Sequence, residues 1–455
     1  MGRMTLKSLL CATALAVATA LPAGAQSLTD TLINAYRTSD LLDQNRALLR
    51  AADEDVAQSV SSLRPVLEYV GRVSYSDPSI GDHLTGNVGL EASLLLFDFG
   101  RSQLTIDLQK ETVLALREGL KGIEQDVLLR GVNAYFNVRL QNAFVGLREN
   151  DVRVITQQLR AARDRFEVGE VTRTDVSIAE ARLAAARSGF AAAQGALAQA
   201  REEYKAVTGA YPMSLRPPPP APRIPASEAE AKGIALGRHP DILEAQRNVT
   251  VSEIGIAVAR AALNPTLRGT VGVSLDEDGD DASSVGVTLR GPIYSGGNIS
   301  SVIRQSQARR DASRASLHFV NKRIEQGVGN AWADLAVSVA SERASEEEVR
   351  AARLALRGAQ EELEVGSRTT LDVLDLEQDL LDAQTNLISA QINRAVTIYE
   401  LLAAMGLLTV DHLALGVATY DPAAYYNAVK NAPLGTVTSP QGEKLDRVMR
   451  RLNLQ

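Results

Sequence analysis

The chain contains the stretch Phe166-Glu-Val-Gly-Glu-Val-Thr-Arg-Thr-Asp175-Val176 and repeats it, without a gap, as Leu363-Glu-Val-Gly-Ser-Arg-Thr-Thr-Leu-Asp372-Val373. A second pair of matching stretches lies well before these two, namely Arg64-Pro-Val-Leu67 and Asn264-Pro-Thr-Leu267. Both pairs have nearly the same separation, so they belong to a unit of roughly 200 residues, which is far longer than the repeat of a solenoid. The sequence therefore predicts a tandem duplication with internal pseudo-symmetry.

The N-terminus has the pattern of a secretory signal peptide, which we assign to residues 1–25. Arg3 and Lys7 precede an apolar run that ends in Ala23-Gly-Ala25, a cleavage site of the A-x-A type. The only cysteine, Cys11, lies inside this run. The mature chain is therefore expected to be exported and to lack a disulfide or a cysteine metal site.

The composition excludes two classes of protein. There are 48 Lys and Arg residues against 55 Asp and Glu, a formal net charge of −7, which argues against a nucleic-acid partner. Beyond the signal, no uninterrupted apolar run reaches the roughly 18 residues of a transmembrane helix. The mature chain is then either periplasmic or crosses a membrane as strands.

The residue types that do chemistry in enzymes form no recognisable constellation. The histidines lack the H-x-x-x-H or H-E-x-x-H spacing of a metal site, and there is no P-loop or G-x-S-x-G motif. They are His83, His239, His318 and His412. We therefore predict that the protein is not an enzyme and uses neither a metal nor a cofactor.

Each repeat opens with a helical pattern, residues 28–62 and 227–262, and continues with two segments of period two. We predict these four strands at residues 66–75, 87–97, 266–275 and 285–294. Each has about ten residues, the length of a tilted strand that crosses a bilayer. One face is apolar, and the other carries Glu68, Arg72, Glu91, Arg268 and Arg290. A single such strand would fit a half-buried soluble hairpin, but four in matched pairs favour membrane strands.

Very long segments without proline follow the strand pairs. No proline lies between Pro78 and Pro212, or between Pro292 and Pro422. Each segment leaves room for a helix of about 60 residues, or roughly 90 Å. A glycine turn and a second helix follow, and from Val176 onwards large and small apolar residues alternate with heptad spacing, as in a coiled coil.

These patterns divide the chain into a first repeat, residues 26–212, and a second repeat, residues 227–410. The proline-rich stretch 213–226 between them is predicted to be a semi-rigid linker. Residues 411–455 form a C-terminal tail that we expect to be partly disordered, above all in 431–443.

Four strands of bilayer length have two open edges, and unpaired backbone groups in lipid cost several kcal/mol each. The chain must therefore oligomerise, with eight strands from two chains or twelve from three as the smallest closures. An eight-stranded barrel has an interior filled by side chains. The charges of the polar face need water, so a trimer with a wet lumen fits better.

Together these features resemble the TolC family of outer-membrane channel proteins. The most specific part is Val365-Gly-Ser-Arg368-Thr-Thr-Leu-Asp372-Val-Leu-Asp375, and the signal, the duplicated units and both Val-Gly turns extend the resemblance over nearly all of the mature chain. It implies a mainly α fold with membrane β. In this fold, duplicated helix-hairpin-helix units form a trimeric 12-stranded transmembrane β-barrel that continues into a long periplasmic α-helical barrel.

The resemblance also implies a function, that of a passive exit duct for a tripartite efflux pump or type I secretion system. The duct would lie in the bacterial outer membrane and span into the periplasm, surrounded by outer-membrane lipid. Its partners would be a periplasmic adaptor (membrane fusion) protein and an inner-membrane transporter of the ABC or RND type. The alternative is a non-porous periplasmic coiled-coil scaffold or adaptor, which leaves the amphipathic strands unexplained. The sequence does not indicate the cargo.

Two acidic residues are candidates for a pore constriction. Asp372 and Asp375 are three apart on a helix and share a face, and by the resemblance a trimer would stack them as two carboxylate rings. The plainer interpretation is a solvated helix start with Asp near the positive end of the helix dipole. The first repeat has Asp175 but Ile178 at the second position, so the pair occurs in one copy only.

Other roles implied by the resemblance lie around the two turns. Arg368 and Asp175 stand at similar heights above the turns and are assigned to a gate latch. Leu363 occupies the position where the family has a tyrosine that bonds the gate, so one hydrogen bond is missing here. The adaptor would dock on the turn residues Val168, Gly169, Val365 and Gly366.

Overall fold

The structure, a computed structural model, describes residues 26–75, 84–435 and 443. The predicted signal peptide, the loop 76–83 and most of the stretch predicted to be disordered lie outside the described residues. The helices are α1 (Leu28–Thr38), α2 (Asp40–Ser61), α3 (Arg101–Glu167), α4 (Arg173–Thr208), α5 (Glu228–Arg238), α6 (Pro240–Ala261), α7 (Asn298–Glu364), α8 (Thr370–Ala404) and α9 (Pro422–Val429). The strands are β1 (Val66–Tyr75), β2 (Leu84–Phe97), β3 (Thr266–Asp276) and β4 (Asp281–Arg290).

The four strands form one antiparallel sheet in the order β1-β2-β3-β4, so β1 and β4 are its edges. Residues directly opposite each other on neighbouring strands lie on the same face of a sheet. Tyr69 pairs with Leu90, which in turn pairs with Val273. Glu68 pairs with Glu91 on the other face. The register therefore places these apolar residues on one face of the sheet and the two glutamates on the other.

The strand boundaries differ from the prediction in two places. β4 is Asp281–Arg290 rather than 285–294, and β2 begins at Leu84 rather than at 87. β4 starts early because the turn before it is tight: the Asp276 carboxylate accepts hydrogen bonds from two N–H groups of that turn, at 3.1 and 2.8 Å. It ends early because Pro292, which follows closely, has no N–H for the ladder.

Each opening helical pattern, predicted as one helix, folds as two. The Ser39 hydroxyl accepts a hydrogen bond from the N–H of Leu42 at 3.2 Å and caps α2. His239 caps α6 in the same way, since its Nδ1 accepts from the N–H of Asp241 at 3.2 Å. A cap residue has a non-helical backbone, so each cap ends the preceding helix. The prediction of single helices missed these caps.

The long helices give the molecule its length. α3 and α7 each contain 67 residues, or about 100 Å, and turn back into α4 and α8 with 36 and 35 residues. α3 packs against α2, α4, α6 and α8, whereas α7 packs against α5, α6 and α8. The pair α6 and α8 thus lies between α3 and α7 in a wall of helices. None of the helices in the described ranges has the length and apolar character needed to cross a membrane.

The main core lies where α1, the middle of α3 and the ends of α4 and α8 meet. Tyr135 and Phe136 pack edge to face, with ring centroids 5.3 Å apart. The hydroxyl groups of Thr31 and Tyr204 form a buried hydrogen bond of 2.9 Å, and Leu402 is fully buried in the same cluster. This core is far from the two helical turns, whose packing depends on smaller clusters.

The first part of the C-terminal tail folds back onto α2 and α3. Tyr425 donates a hydrogen bond to Glu54 at 2.6 Å. The Arg117 guanidinium lies over the Tyr426 ring at 5.3 Å from its centroid, and that of Arg46 lies 5.5 Å from the centroid of Tyr420. The tail is therefore ordered through α9.

A buried carboxylate lies near this tail contact. Asp53 of α2 is fully buried, and among the described residues neither of its carboxylate oxygens has a hydrogen-bond partner. Burial raises the pKa of Asp53 to about 6, the Arg117 guanidinium opposes this rise in part, and Glu54 adds to it. The folded protein therefore binds a proton at Asp53 more tightly than an unfolded chain does.

We predict that Asp53 makes stability fall as the pH rises. Its folded pKa of about 6 exceeds the unfolded value of 3.8, so its stabilising contribution is present below about pH 4 and is lost as the pH rises through 6. Relative to Asp53→Asn, the wild type should lose about 1–3 kcal/mol of unfolding free energy over this range. This loss of unfolding free energy is measured by thermal unfolding of the purified protein from about pH 4 to 7. Asp55→Asn, at an exposed position of α2, is the control, and parallel profiles for wild type and Asp53→Asn would contradict the prediction.

Candidate functional site

The candidate site is the end of the molecule where α3 turns into α4 and α7 turns into α8. Gly169 and Gly366 have positive φ angles of 83° and 77°, a backbone region that other residues enter only at a cost. The N–H of Gly169 donates to Phe166 O at 3.0 Å, and that of Gly366 donates to Leu363 O at 3.1 Å. The two turns therefore have the same backbone conformation, as the repeated sequence requires.

An apolar side chain is exposed at each turn. Val168 is 72 % exposed and Val365 is 80 % exposed. Neither contributes to the core of the isolated chain. Both are available to a partner, together with the glycines beside them.

The helix that follows each turn begins with the same capping box. The N–H and hydroxyl of Thr369 donate to Asp372 Oδ2 at 3.0 and 2.8 Å, and the Asp372 N–H donates back to Thr369 Oγ1 at 3.2 Å. Thr172 and Asp175 repeat this arrangement at 2.8, 2.8 and 3.3 Å. The Thr-x-x-Asp spacing is the sequence signal of such a box. The sequence reasoning missed it, although both copies are visible in the repeat.

The capping boxes also fix the charge of these aspartates. Hydrogen bonds from Thr369 hold the pKa of Asp372 below its usual range, with a small further contribution from Arg368. Hydrogen bonds from Thr172 do the same for the pKa of Asp175. Both carboxylates therefore stay ionised at neutral and mildly acidic pH. Asp372 therefore lies at the capped start of α8, as the plainer interpretation expects. It remains a charged group at the tip.

Asp375 has a different partner from Asp372. Its Oδ1 accepts a hydrogen bond from the Arg182 guanidinium of α4 at 2.5 Å. This salt bridge joins α8 to α4, and thus one hairpin to the other. Sequence reasoning did not find Arg182, although it lies two helical turns beyond Asp175 on the same helix.

Leu374, between the two aspartates, reinforces the same contact. It is 2 % exposed and belongs to a small cluster of residues from α3 and α4. The other buried members are Ile155, Leu159, Ala162, Ala179, Leu183 and Ala186. Leu374 and the Arg182–Asp375 salt bridge therefore both join the two hairpins near their tips.

The predicted latch residues lie in one cleft but are not paired with each other. Arg368 and Asp175 both line a cleft between the two turns. Arg368 Nε instead donates to Glu362 Oε2 at 2.8 Å, because Glu362 lies on the preceding helix end of the same hairpin. Asp175 binds Thr172 in its capping box. Within this chain the Arg368–Asp175 salt bridge is therefore absent among the described contacts.

The charged residues predicted to face a lumen share one face of the sheet. Glu68 is directly opposite Glu91. Arg268 pairs with Thr288, and Arg290 pairs with Thr266. Arg72 stands opposite Asn87, on the same face. All four strands contribute a charged residue to this face, and two like charges lie directly opposite each other, which favours an aqueous surrounding.

The described residues offer no group of three or more His, Cys, Asp and Glu side chains that would hold a metal ion. The chemistry of the site is therefore that of fixed charges, exposed valines and a salt bridge between hairpins. Such an arrangement can bind cations and a protein partner.

Comparison with known proteins finds one family model, described as outer membrane efflux protein, that matches residues 34–210 and 233–407. The outer membrane efflux protein BepC of Brucella suis is 35 % identical over 92 % of this chain and 93 % of its own length. The outer membrane protein TolC of Escherichia coli is 26 % identical over 87 % and 86 %. The open state of the MtrE outer membrane channel of Neisseria gonorrhoeae, 21 % identical, superimposes with a TM-score of 0.72 over 85 % of this chain and 90 % of that one.

We predict that Leu374 sets the local stability of the hairpin contact. Leu374→Ala removes a buried side chain, which costs about 2–5 kcal/mol, so amide hydrogen exchange in the first turns of α4 and α8 should accelerate by about 30-fold or more. Leu371→Ala, at a position 39 % exposed on the same helix, is the matched control. Equal exchange rates in the two variants would show that Leu374 does not hold the hairpins together.

Proposed function

The chain belongs to the outer membrane efflux protein family, and from this membership we propose that it is a passive exit duct in the bacterial outer membrane. It serves a tripartite efflux pump or a type I secretion system, and it extends from the outer membrane into the periplasm. The resemblance to the TolC family is confirmed by these matches. Members of this family are channel proteins and not enzymes.

The observation that carries the proposal is the exposed apolar face of the sheet. Tyr69 is 88 % exposed, Val73 75 % and Val285 83 %, in a chain whose helices form ordinary buried cores. Single exposed apolar residues are normal, but a whole apolar sheet face needs a partner. Lipid is that partner, and the opposite charged face then lines a water-filled lumen. A non-porous periplasmic scaffold would leave this face in water.

The open sheet edges determine the assembly. β1 and β4 have no neighbour on their outer sides within the described chain. Three copies join their edges into twelve strands, and the helices below continue as a tunnel across the periplasm. The lumen is lined by Glu68, Arg72, Glu91, Arg268 and Arg290.

The tunnel end carries the gate and the docking surface. Asp372 and Asp375 form two carboxylate rings where the tunnel is narrowest. A periplasmic adaptor docks on the turns at Val168, Gly169, Val365 and Gly366, whose exposed valines support this role. The adaptor connects the duct to an inner-membrane transporter of the ABC or RND type, which supplies the energy and selects the cargo.

Two salt bridges are assigned to the gate. The first, Arg182 to Asp375, is formed within the chain. The second is the latch between Arg368 and Asp175, which requires Arg368 to leave Glu362. Exposed pairs of this kind contribute only about 0–1 kcal/mol each, so docking of the adaptor is sufficient to open them.

The test of the proposed function is single-channel recording of the purified mature protein in a planar lipid bilayer. We expect small, cation-selective current steps that hexamminecobalt(III) blocks from the side of the helices. The double variant Asp372→Ala with Asp375→Ala should conduct without this block, because the carboxylates that bind the ion are gone. A folded, heat-resistant trimer that never conducts, even with these carboxylates removed, would contradict the duct and favour the scaffold.

We predict that Arg182 weakens the cation site at Asp375. Arg182→Ala removes the charge that neutralises Asp375, so the trivalent cation should block at several-fold lower concentration and conductance in its absence should rise. Arg187→Ala, at an exposed position of the same helix, is the control and should behave like the wild type. If Arg182→Ala also blocks like the wild type, then Asp375 does not bind the cation.

A further inference from the structure

A cleft lies at the junction between the sheet and the helices. It is lined by residues of α6 together with the start of α3 and part of α7. Its lining includes the apolar residues Phe99 and Leu104 and the two arginines Arg260 and Arg310. The cleft lies far along the helices from the turns and the gate residues.

The aromatic wall of the cleft continues the lipid-facing side of the sheet. Phe97 at the end of β2 pairs with Leu267, which belongs to the apolar face. The ring of Phe97 contacts that of Phe99 edge to face, with centroids 4.7 Å apart. Phe99 in turn lines the cleft. The two contacting rings therefore connect the cleft to the apolar face of the sheet, next to the ends of the strands.

The turn that places Phe99 is held in an unusual conformation. Phe99 has a positive φ of 54°, which is rare for a bulky residue. Asp98 fixes the turn, since its carboxylate accepts hydrogen bonds from the N–H groups of Gly100 and Ser102 at 3.1 and 2.7 Å. The ring is thus held against the cleft by the backbone before any ligand arrives.

The charges of the cleft leave one positive charge unmatched. Arg310 pairs with Asp311 at 2.6 Å, and Glu253 pairs with Arg314 at 2.6 Å. Arg260 makes no ion pair within the described chain. Among the charged residues that line the cleft, Arg260 and Arg310 stand against Glu253, so the lining carries one excess positive charge, and Arg260 is the arginine without an ion pair among the described residues.

The cleft is formed by residues of one protomer. α6 packs against both α3 and α7 of the same chain, and the lining residues come from these three helices and the segments next to them. In the proposed trimer the open edges β1 and β4 join the copies. A ligand of the cleft therefore needs no residue from a second copy.

From these observations we propose that the cleft binds the phosphodiester headgroup of an anionic phospholipid in the periplasmic leaflet, an inference that rests on the proposed outer-membrane location. Arg260 donates charge-assisted hydrogen bonds to the phosphate, and Arg310 lies across the cleft. The acyl chains lie along Phe99 and Phe97 towards the apolar sheet face. The single excess charge matches the single negative charge of a phosphodiester.

The test uses tryptophan fluorescence and brominated lipid as a quencher. The mature chain contains one tryptophan, Trp332, which is replaced by Phe so that Phe99→Trp becomes the only reporter. The trimer is reconstituted in phosphatidylcholine vesicles with a rising fraction of acyl-brominated phosphatidylglycerol. Quenching of Phe99→Trp should saturate at a low fraction of this lipid. A second reporter, Tyr69→Trp on the lipid-facing sheet, should be quenched only in proportion to the lipid fraction.

Substitution of the arginine then tests the headgroup contact. Arg260→Gln should weaken the saturable binding about tenfold or more, whereas Arg260→Lys, which keeps the charge, should retain most of it. Arg353→Gln, at an exposed position near the other end of α7, should bind like the wild type. All variants are first checked for heat-resistant trimer, which shows that they fold.

Several outcomes would overturn the proposal. Equal lipid binding by Arg260→Gln and wild type would show that Arg260 does not hold a headgroup. Release of the lipid by millimolar inorganic phosphate would indicate a site for a free anion instead. If Tyr69→Trp is quenched but quenching of Phe99→Trp only follows the bulk lipid fraction, the lipid site in the cleft is wrong and the outer-membrane location stands. If neither reporter is quenched, both the lipid site and the outer-membrane location are wrong.

Discussion

The unpaired backbone groups at the two edges of the sheet, β1 and β4, determine how this chain assembles. Each edge strand presents a row of backbone N–H and C=O groups, and hydrocarbon offers them no partner. A four-stranded sheet with one apolar and one charged face is therefore incomplete as a single chain, and three copies complete it. In the proposed barrel the charged face turns towards water, and the apolar face turns towards lipid. The position of the two longest helices follows, since α3 begins just after β2 and α7 begins shortly after β4.

At the other end of the molecule, a local hydrogen-bond pattern is used twice. The Thr-Asp capping boxes start α4 and α8 in the same way, so Asp372 and Asp175 first serve the helix and stay ionised because of it. Asp375 lies one turn further and is bound by an arginine from the other repeat. The two neighbouring acids thus have different surroundings. Asp372 accepts hydrogen bonds from Thr369 at the start of its own helix, whereas Asp375 pairs with an arginine of the other hairpin.

The sequence allowed much of this fold to be predicted because its signals are periodic. Alternation of apolar and polar residues indicated the strands, and the long stretches without proline indicated the helices. The break at Ser39 and the early start of β4 were missed, because single side chains that bind the backbone decide them and leave the periodicity unchanged. Arg182 was missed for another reason: its partner Asp375 lies 193 residues away, and no local pattern relates the two. The valines at the turns were assigned to docking from the family resemblance, and the structure adds that their side chains are exposed.

The equal lengths of α3 and α7, 67 residues each, restrict how such a chain can evolve. α3 and α7 both start next to the strands and end at the turns, so an insertion in one of them shifts one hairpin relative to the other and separates Leu374 from its cluster. A change in length survives only when it occurs in both repeats and in both arms of each hairpin, by the same number of residues. A substitution leaves the length of a helix unchanged and is therefore not restricted in this way. The two halves of the gene are therefore free to diverge in sequence while their lengths remain tied together.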